Sequence, residues 1–226
     1  ASDVYKRQTL RKKAFCFNEQ GTGKTAAVIW AADYLMKLGL VRRVLIIAPL
    51  SIMKSAWQND LFTFAVHRSC DIAYGKREAR KAVINGEAEF VIINFDGLEI
   101  VKDDLIADGR FDLIVADEAS AYKNMQTNRW KTLKSVVTPD TWLWMLTGTP
   151  AAQSPVDAYG LAKLVNPDGV PKFFGQFRDK VMEKVGQFRW IPRPNAEVTV
   201  HNALQPAIRF EKSQCLDLPE LTFLER

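Results

Sequence analysis

The sequence is poor in the residues that staple small secreted domains or hold structural metals. Three cysteines, Cys16, Cys70 and Cys215, are scattered over 226 residues, and the two histidines are His67 and His201. An odd, dispersed set of thiols argues against a disulfide framework and for a reducing compartment. With no Cys-x-x-Cys and so few imidazoles, no structural zinc is expected. Long apolar runs are lacking too. The best, Val44–Leu50, is one buried strand's worth and far short of a bilayer, so no membrane partner is expected. The first residues show no charged-then-apolar export pattern. Glycine (12) and proline (10) stay near average, which excludes collagen-like and low-complexity chains. Excess charge is small as well. The net of +5 permits a polyanionic partner without requiring one.

What is present is ordinary globular material, 47% apolar and 25% charged, enough for a large core. Short apolar strands alternate with longer amphipathic stretches. Strands are expected at Ala14–Phe17, Val44–Ala48, Asp71–Tyr74, Phe90–Asn94, Leu113–Ala116 and Trp142–Leu146. Several are apolar at consecutive positions, the mark of strands covered on both faces and hence of a parallel sheet. Helices are expected at Thr25–Leu38, stopped by Gly39, and at Ile52–Phe64, with Ser51 as N-cap. Two more are expected at Lys76–Ile84 and Val156–Val165. Such alternation predicts an α/β three-layer domain. Beyond Pro171 the character changes. A helix over Phe173–Val185 is expected, then a proline-broken aromatic and basic stretch, then strand-like pieces to Arg226. The expected division is residues 1–13 as an ill-defined start, 14–170 as the main lobe and 171–226 as a protrusion and linker.

Three short motifs carry chemistry, each just after a buried strand. Gly21-Thr22-Gly23-Lys24-Thr25 opens the first helix. Glycines let successive N–H groups curl around an anion, and the helix N-terminus favours negative charge. Lys24 suits β/γ-phosphates, and the Thr25 hydroxyl suits Mg²⁺. From average residue usage such a pattern arises by chance in roughly one chain in a hundred of this length. A dinucleotide fingerprint fits poorly, because its third glycine would fall on Ala26. The second motif is Asp117-Glu118, where Asp117 is placed to help hold Mg²⁺ and Glu118 to polarise the attacking water. The third is Leu146-Thr147-Gly148-Thr149-Pro150.

The order of these motifs resembles the first, RecA-like motor lobe of superfamily-two (DEAD/DEAH-box) helicases. It is most similar to the Swi/Snf-type DNA translocases, including bacterial and phage members. Asn18–Thr25 resembles motif I, and Ile46–Ile52 with Trp57 downstream resembles motif Ia. Val91–Asp96 resembles the strand and turn that follow. Asp117–Ser120 with Lys123-Asn124 resembles motif II and its Swi/Snf tail, and Leu146–Pro150 with Gln153 resembles motif III. The resemblance implies P-loop NTPase chemistry with ATP and Mg²⁺, coupled to movement on duplex DNA gripped through its phosphates. By the same resemblance, Gln20, Gly21, Thr22, Gly23, Lys24, Thr25, Asp117 and Glu118 bind ATP. Lys24 and Glu118 are the catalytic pair, and Thr25 and Asp117 hold the metal. Thr147, Gly148 and Thr149 couple nucleotide to track, while Pro49, Ser51, Asn94 and Lys123 lie toward DNA. A second RecA-like lobe with arginine fingers is the expected partner. The expected location is the cytoplasm of a bacterial or phage-infected cell, or the nucleus in a eukaryote. Ser120 stands where many relatives have His, Asn18 replaces a common acidic residue, and Gln8 lies too close to Lys24 to read adenine. A non-catalytic nucleic-acid-binding scaffold and an unrelated P-loop kinase stay open on sequence alone.

The remaining candidates read as scaffold. Trp57, Trp142 and Trp144 are expected in the core, and Arg42-Arg43 and Lys76-Arg77 on solvated surface. Phe188-Arg189-Trp190 mixes aromatic and basic character, suited either to stacking on single strands or to hydrophobic anchoring.

Overall fold

The computed structural model describes residues 11–17, 23–148, 151 and 153–208. Its centre is a seven-stranded sheet in the order β3-β4-β2-β5-β6-β1-β9. The strands are β1 (Lys13–Cys16), β2 (Arg43–Ile47), β3 (Cys70–Ala73), β4 (Phe90–Ile93), β5 (Phe111–Asp117), β6 (Trp142–Leu146) and β9 (Ala207–Ile208). Every neighbouring pair in it is parallel. All the C-terminal strand ends therefore lie along one edge.

Alternation of side chains sorts the core into two layers. Val44, Ile46, Ile92, Leu113, Val115, Trp144 and Leu146 face one way. There they meet α1 (Lys24–Lys37) and α2 (Asn59–Phe64) through Val28, Ile29, Leu35 and Leu61. Leu45, Ile47, Val91, Ile93, Ile114, Ala116, Leu143 and Met145 face the other way. That layer receives α3 (Arg77–Asn85), α4 (Phe95–Ile100), α5 (Lys102–Asp108), α6 (Asn128–Val136), α7 (Ala158–Val165), α8 (Phe174–Val181) and α9 (Ala196–Ala203). Each large apolar side chain so buried contributes about 1.5–3 kcal/mol of transfer free energy. Covering on both faces is why these strands are apolar without alternation.

Three expectations change. Ser51 caps nothing with its hydroxyl. Leu50–Ile52 is a 3₁₀ turn, Met53–Gln58 is π-helical, and only Asn59–Phe64 is α-helical. The helix expected to reach Val185 ends at Val181, because Met182–Lys184 (β7) pairs antiparallel with Trp190–Pro192 (β8) as a hairpin. Strand-like pieces were expected after Pro194, but Ala196–Ala203 is a helix, and Ala207–Ile208 then extends the main sheet beside β1. Arg43 also departs from its expected surface place. It is buried, donating to the carbonyls of Ala88 and Ile84 and to Asp108. Residues 209–226, and with them Cys215, lie outside the described residues.

Candidate active site

Three adjacent strands deliver the three motifs to one edge. β6 lies between β5 and β1, with Asp117 in register with Leu146 and Leu146 with Cys16. The backbone N–H of Thr147 donates to the Cys16 carbonyl at 3.1 Å, tying the start of one motif to the strand that leads into another. Gly23 sits at φ +75°, a left-handed geometry that glycine adopts without strain. It begins α1, whose first turn holds Lys24 and Thr25 and no acidic residue. The positive end of that helix is thus left clear for an anion. Gln20, Gly21, Thr22 and Thr149 lie outside the described residues.

Asp117 closes β5 in a half-buried position. Its Oδ2 accepts the indole N–H of Trp57 at 2.8 Å, and its Oδ1 accepts the backbone N–H of Glu118 at 2.9 Å. Burial pushes the carboxyl up from the ordinary carboxylate range. The Trp57 and Glu118 hydrogen bonds and the charge of Lys24 pull it down, Glu118 pushes it up, and the net shift is upward. That Lys24 acts on Asp117 at all shows that the fold brings the first and second motifs into electrostatic reach.

Glu118 occupies the left-handed region at φ 57°, ψ 59°, where a non-glycine residue is strained. Its Oε1 accepts the hydroxyl of Ser120 at 2.5 Å and that of Thr147 at 3.3 Å. The second and third motifs are therefore joined through the carboxylate itself. Ser120, two residues on, thus makes a contact of its own to Glu118.

Trp57 is a site residue that the sequence reading placed in the core despite its motif position. It is fully buried, yet its N–H also orients Asp117 from 60 positions away in the chain. The π-helical turn carries it inward, a local irregularity of a kind often found at functional sites. Its place downstream of Ile46–Ile52 was the one available signal.

Residues 5–201 match the family model of the SNF2-related domain. The chain belongs to the SNF2-related domain family. Within the curated proteins, it is 27% identical over 213 residues to the mouse chromodomain-helicase-DNA-binding protein 1-like, covering 91% of this chain and 23% of that protein. It is 24% identical over 162 residues to an uncharacterized ATP-dependent helicase of Bacillus subtilis, covering 71% of this chain and 27% of the relative. The chain thus spans about a quarter of the length of these relatives. Among solved structures, the SWI2/SNF2 ATPase core of Sulfolobus solfataricus in complex with dsDNA superposes with a TM-score of 0.75. The two are 22% identical, and the match covers 93% of this chain and 42% of that one.

For this SNF2-related domain, the residues expected toward DNA fall in different settings. Ser51 is exposed and Pro49 half-buried, both just beyond the end of β2. Asn94 is buried at the end of β4, where its Oδ1 accepts Arg80 Nη1 at 3.0 Å, so its side chain serves the scaffold. Lys123 bonds Gln153 and Asp157, the latter at 3.2 Å, linking the tail of the second motif to the segment after the third. Gly160 of α7 lies against the Lys123 carbonyl, so close that any Cβ there would overlap it. Gly148 is half-buried next to Thr147.

Proposed function

We propose that this chain is the first RecA-like lobe of a Snf2-type DNA translocase, binding ATP with Mg²⁺ and hydrolysing it to drive movement on DNA. The observation that carries this reading is the joined set of Lys24, Asp117, Glu118 and Thr147 at adjacent parallel strand ends. The proposed division keeps residues 14–170 as the ATP-binding lobe and 171–226 as protrusion and linker.

The donors fit a magnesium nucleotide. Thr25 and Asp117 are hard oxygen ligands of the kind Mg²⁺ takes beside phosphate oxygens. Among the described residues, Asp117 is held by two neutral donors and carries no ion pair, which suits a cation at its face. When bound, Mg²⁺ would neutralise charge developing on the phosphates. Lys24 and the N–H groups at the start of α1 bind the β- and γ-phosphates and fix their orientation. Glu118 commits Oε1 to Ser120 and Thr147, which leaves Oε2 to orient a water and take its proton. A base so placed contributes about 10²–10⁴ in rate. Thr147, in contact with the same carboxylate, senses whether that proton has moved.

DNA is the proposed track, held through backbone phosphates with salt-dependent affinity; the similar Sulfolobus core is in complex with dsDNA. A second RecA-like lobe is the proposed partner that supplies arginine to the γ-phosphate, worth about 10³–10⁵ in related NTPases.

The test is ATP hydrolysis and Mg·ATP binding by the purified chain, with and without duplex DNA, beside Lys24→Ala and Glu118→Gln. Binding that is lost in Lys24→Ala, with slow turnover raised by DNA and abolished in Glu118→Gln, is the expected result. Absence of both binding and turnover would reject the reading in favour of a non-catalytic scaffold.

A further inference from the structure

The β7–β8 hairpin stands outside the site described above, at the end of a basic segment. Residues 172–193 hold six basic side chains, Lys172, Arg178, Lys180, Lys184, Arg189 and Arg193, against Asp179 and Glu183. The whole chain nets only +5.

The hairpin is also braced, although an isolated two-stranded ribbon is marginal in water. Glu183 pairs with Ile191 and Lys184 with Trp190 across the strands. The N–H of Val185 donates to the Arg189 carbonyl at 3.0 Å and closes the turn. The Arg193 Nε donates to the carbonyls of Asp179 and Met182 at 2.9 and 3.1 Å, locking the base of the ribbon to α8. Arg178 lies over the Trp190 ring at 4.1 Å.

This bracing divides the aromatic pair that the sequence set side by side. Trp190 is covered by Arg178 and belongs to the hairpin's own stability. Phe188 is 89% exposed at the tip, more than any other large apolar residue among those described. A side chain serving as a hydrophobic anchor would be covered. Lys184 and Arg189 flank the tip, exposed, with no side-chain hydrogen bond or ion pair among the described residues.

We propose that the β7–β8 hairpin is a second nucleic-acid contact, in which Phe188 stacks on an unpaired DNA base while Lys184 and Arg189 hold the adjoining phosphates. A bare aromatic face beside free cations is the combination that grips single strands, because every base offers a π-face and every nucleotide a charge. Inside a duplex those faces are already stacked. The tip therefore selects a gap, a fork or an end, whereas duplex binding falls to the strand-end edge. This inference rests on the reading of the chain as a DNA-engaging protein.

The test uses the purified 226-residue chain. Affinity is measured for a blunt duplex, and for the same duplex carrying an unpaired tail, over a range of salt. Phe188→Ala is expected to weaken tailed DNA by at least about fivefold, the lower end for one stacked base, and to leave blunt duplex within about twofold. Phe188→Trp is expected to restore the tailed affinity. Arg189→Ala should lower the salt slope on tailed DNA by about 0.7, one released counterion on a single strand. Equal binding of tailed DNA by wild type and Phe188→Ala overturns the proposal, as does an equal loss on both DNAs. Loss in Phe188→Ala of binding to vesicles containing phosphatidylserine, with DNA binding unchanged, would overturn it by assigning the tip to a membrane surface. Mg·ATP binding by wild type and Lys24→Ala is measured alongside. If nucleotide is bound but no DNA is, the hairpin proposal fails while the nucleotide site stands. If Lys24→Ala binds ATP normally, the site reading fails, and the tailed-DNA result still decides the hairpin.

Discussion

Asp33 on α1 and Asp117 at the end of β5 are both carboxylates drawn away from water, and they titrate in opposite directions. Asp33 is 7% exposed. Its burial alone would push the carboxyl up, but it accepts from Lys37 at 2.7 Å, Arg68 at 2.7 Å and His67 at 2.8 Å, and these hold it down at about 2. Among the described residues, Asp117 has two neutral donors and the charge of Lys24, and burial wins. The first carboxylate is electrostatically complete in the resting fold. It ties the middle of α1 to the turn before β3, and Arg68 carries the link on to Glu89 at 2.6 Å. The second is less complete among the described residues, which fits its proposed role as a ligand for a cation. Scaffold and site use the same chemical group and differ in how much positive charge the fold supplies.

The largest effect is expected beside Asp117 and not on it. Glu118→Gln keeps the side chain's shape and its contacts with Ser120 and Thr147 but cannot take a proton. Turnover should fall by about 10³, inside the range for a positioned base, with Mg·ATP binding retained. Single-turnover hydrolysis against nucleotide titration separates the two. A variant that hydrolyses at the wild-type rate would remove Glu118 from the chemistry.

Next in size is Asp33→Asn. A carboxyl held at about 2 against an unfolded value near 4 stabilises the fold by about 2 kcal/mol at neutral pH. The sign follows from proton uptake. Below about pH 4 the unfolded chain protonates before the native one, so this contribution fades as pH falls toward 2. Urea unfolding should show the variant about 2 kcal/mol weaker at pH 7, with the gap narrowing between about pH 5 and pH 3. A constant gap would mean that packing, and not charge, is what Asn loses.

Asp117→Asn should move stability the other way, and by less. A raised carboxyl means that the native state binds more protons than the unfolded chain between the two values, so stability falls as pH rises through that interval. Removing the charge should raise stability at neutral pH, by a smaller amount than Asp33→Asn loses, while Mg²⁺-dependent nucleotide binding disappears. Thermal unfolding with and without Mg·ATP reads both. A variant that is less stable than wild type and still binds Mg·ATP would erase the contrast between the two aspartates.

Much of this contrast could be read from residue order, and part of it could not. The strands that deliver Lys24, Asp117 and Thr147 announce themselves because Ala14–Cys16, Leu113–Ala116 and Leu143–Leu146 must be apolar on both faces. Their parallel pairing then forces the motifs that follow them onto one edge. Trp57 was legible as core but not as a partner of Asp117, because the contact depends on a π-helical turn that no periodicity signals. His67 had no partner in sequence, since Asp33 reaches it only through the fold. Arg43 looked like half of a surface pair and is buried, since its three acceptors come from two distant stretches, Ile84–Ala88 and Asp108. The hairpin was hidden by helix-like spacing through Val185, which the cross-strand pairing of Lys184 and Trp190 overrides.

The smallest and most selective effect is expected from Thr147→Val. The substitution keeps the shape of a residue that is 2% exposed and removes its hydroxyl, a donor to Glu118 Oε1 at 3.3 Å. At that length the hydrogen bond is weak, and stability should change by less than about 1 kcal/mol. The backbone bond from Thr147 to Cys16 stays, so the strand ends keep their register. Ser120 still holds Oε1 at 2.5 Å, so Glu118 remains able to act as base. What is lost is the link between that carboxylate and the segment after β6. The expected result is near-normal ATP hydrolysis without DNA and a severalfold smaller stimulation by DNA, read from steady-state ATPase over a DNA titration. If basal turnover fell as far as in Glu118→Gln, Thr147 would belong to the chemistry itself. If stimulation were untouched, the 3.3 Å contact would carry nothing between the motifs, and the route would have to run through Lys123, Gln153 and Asp157 instead.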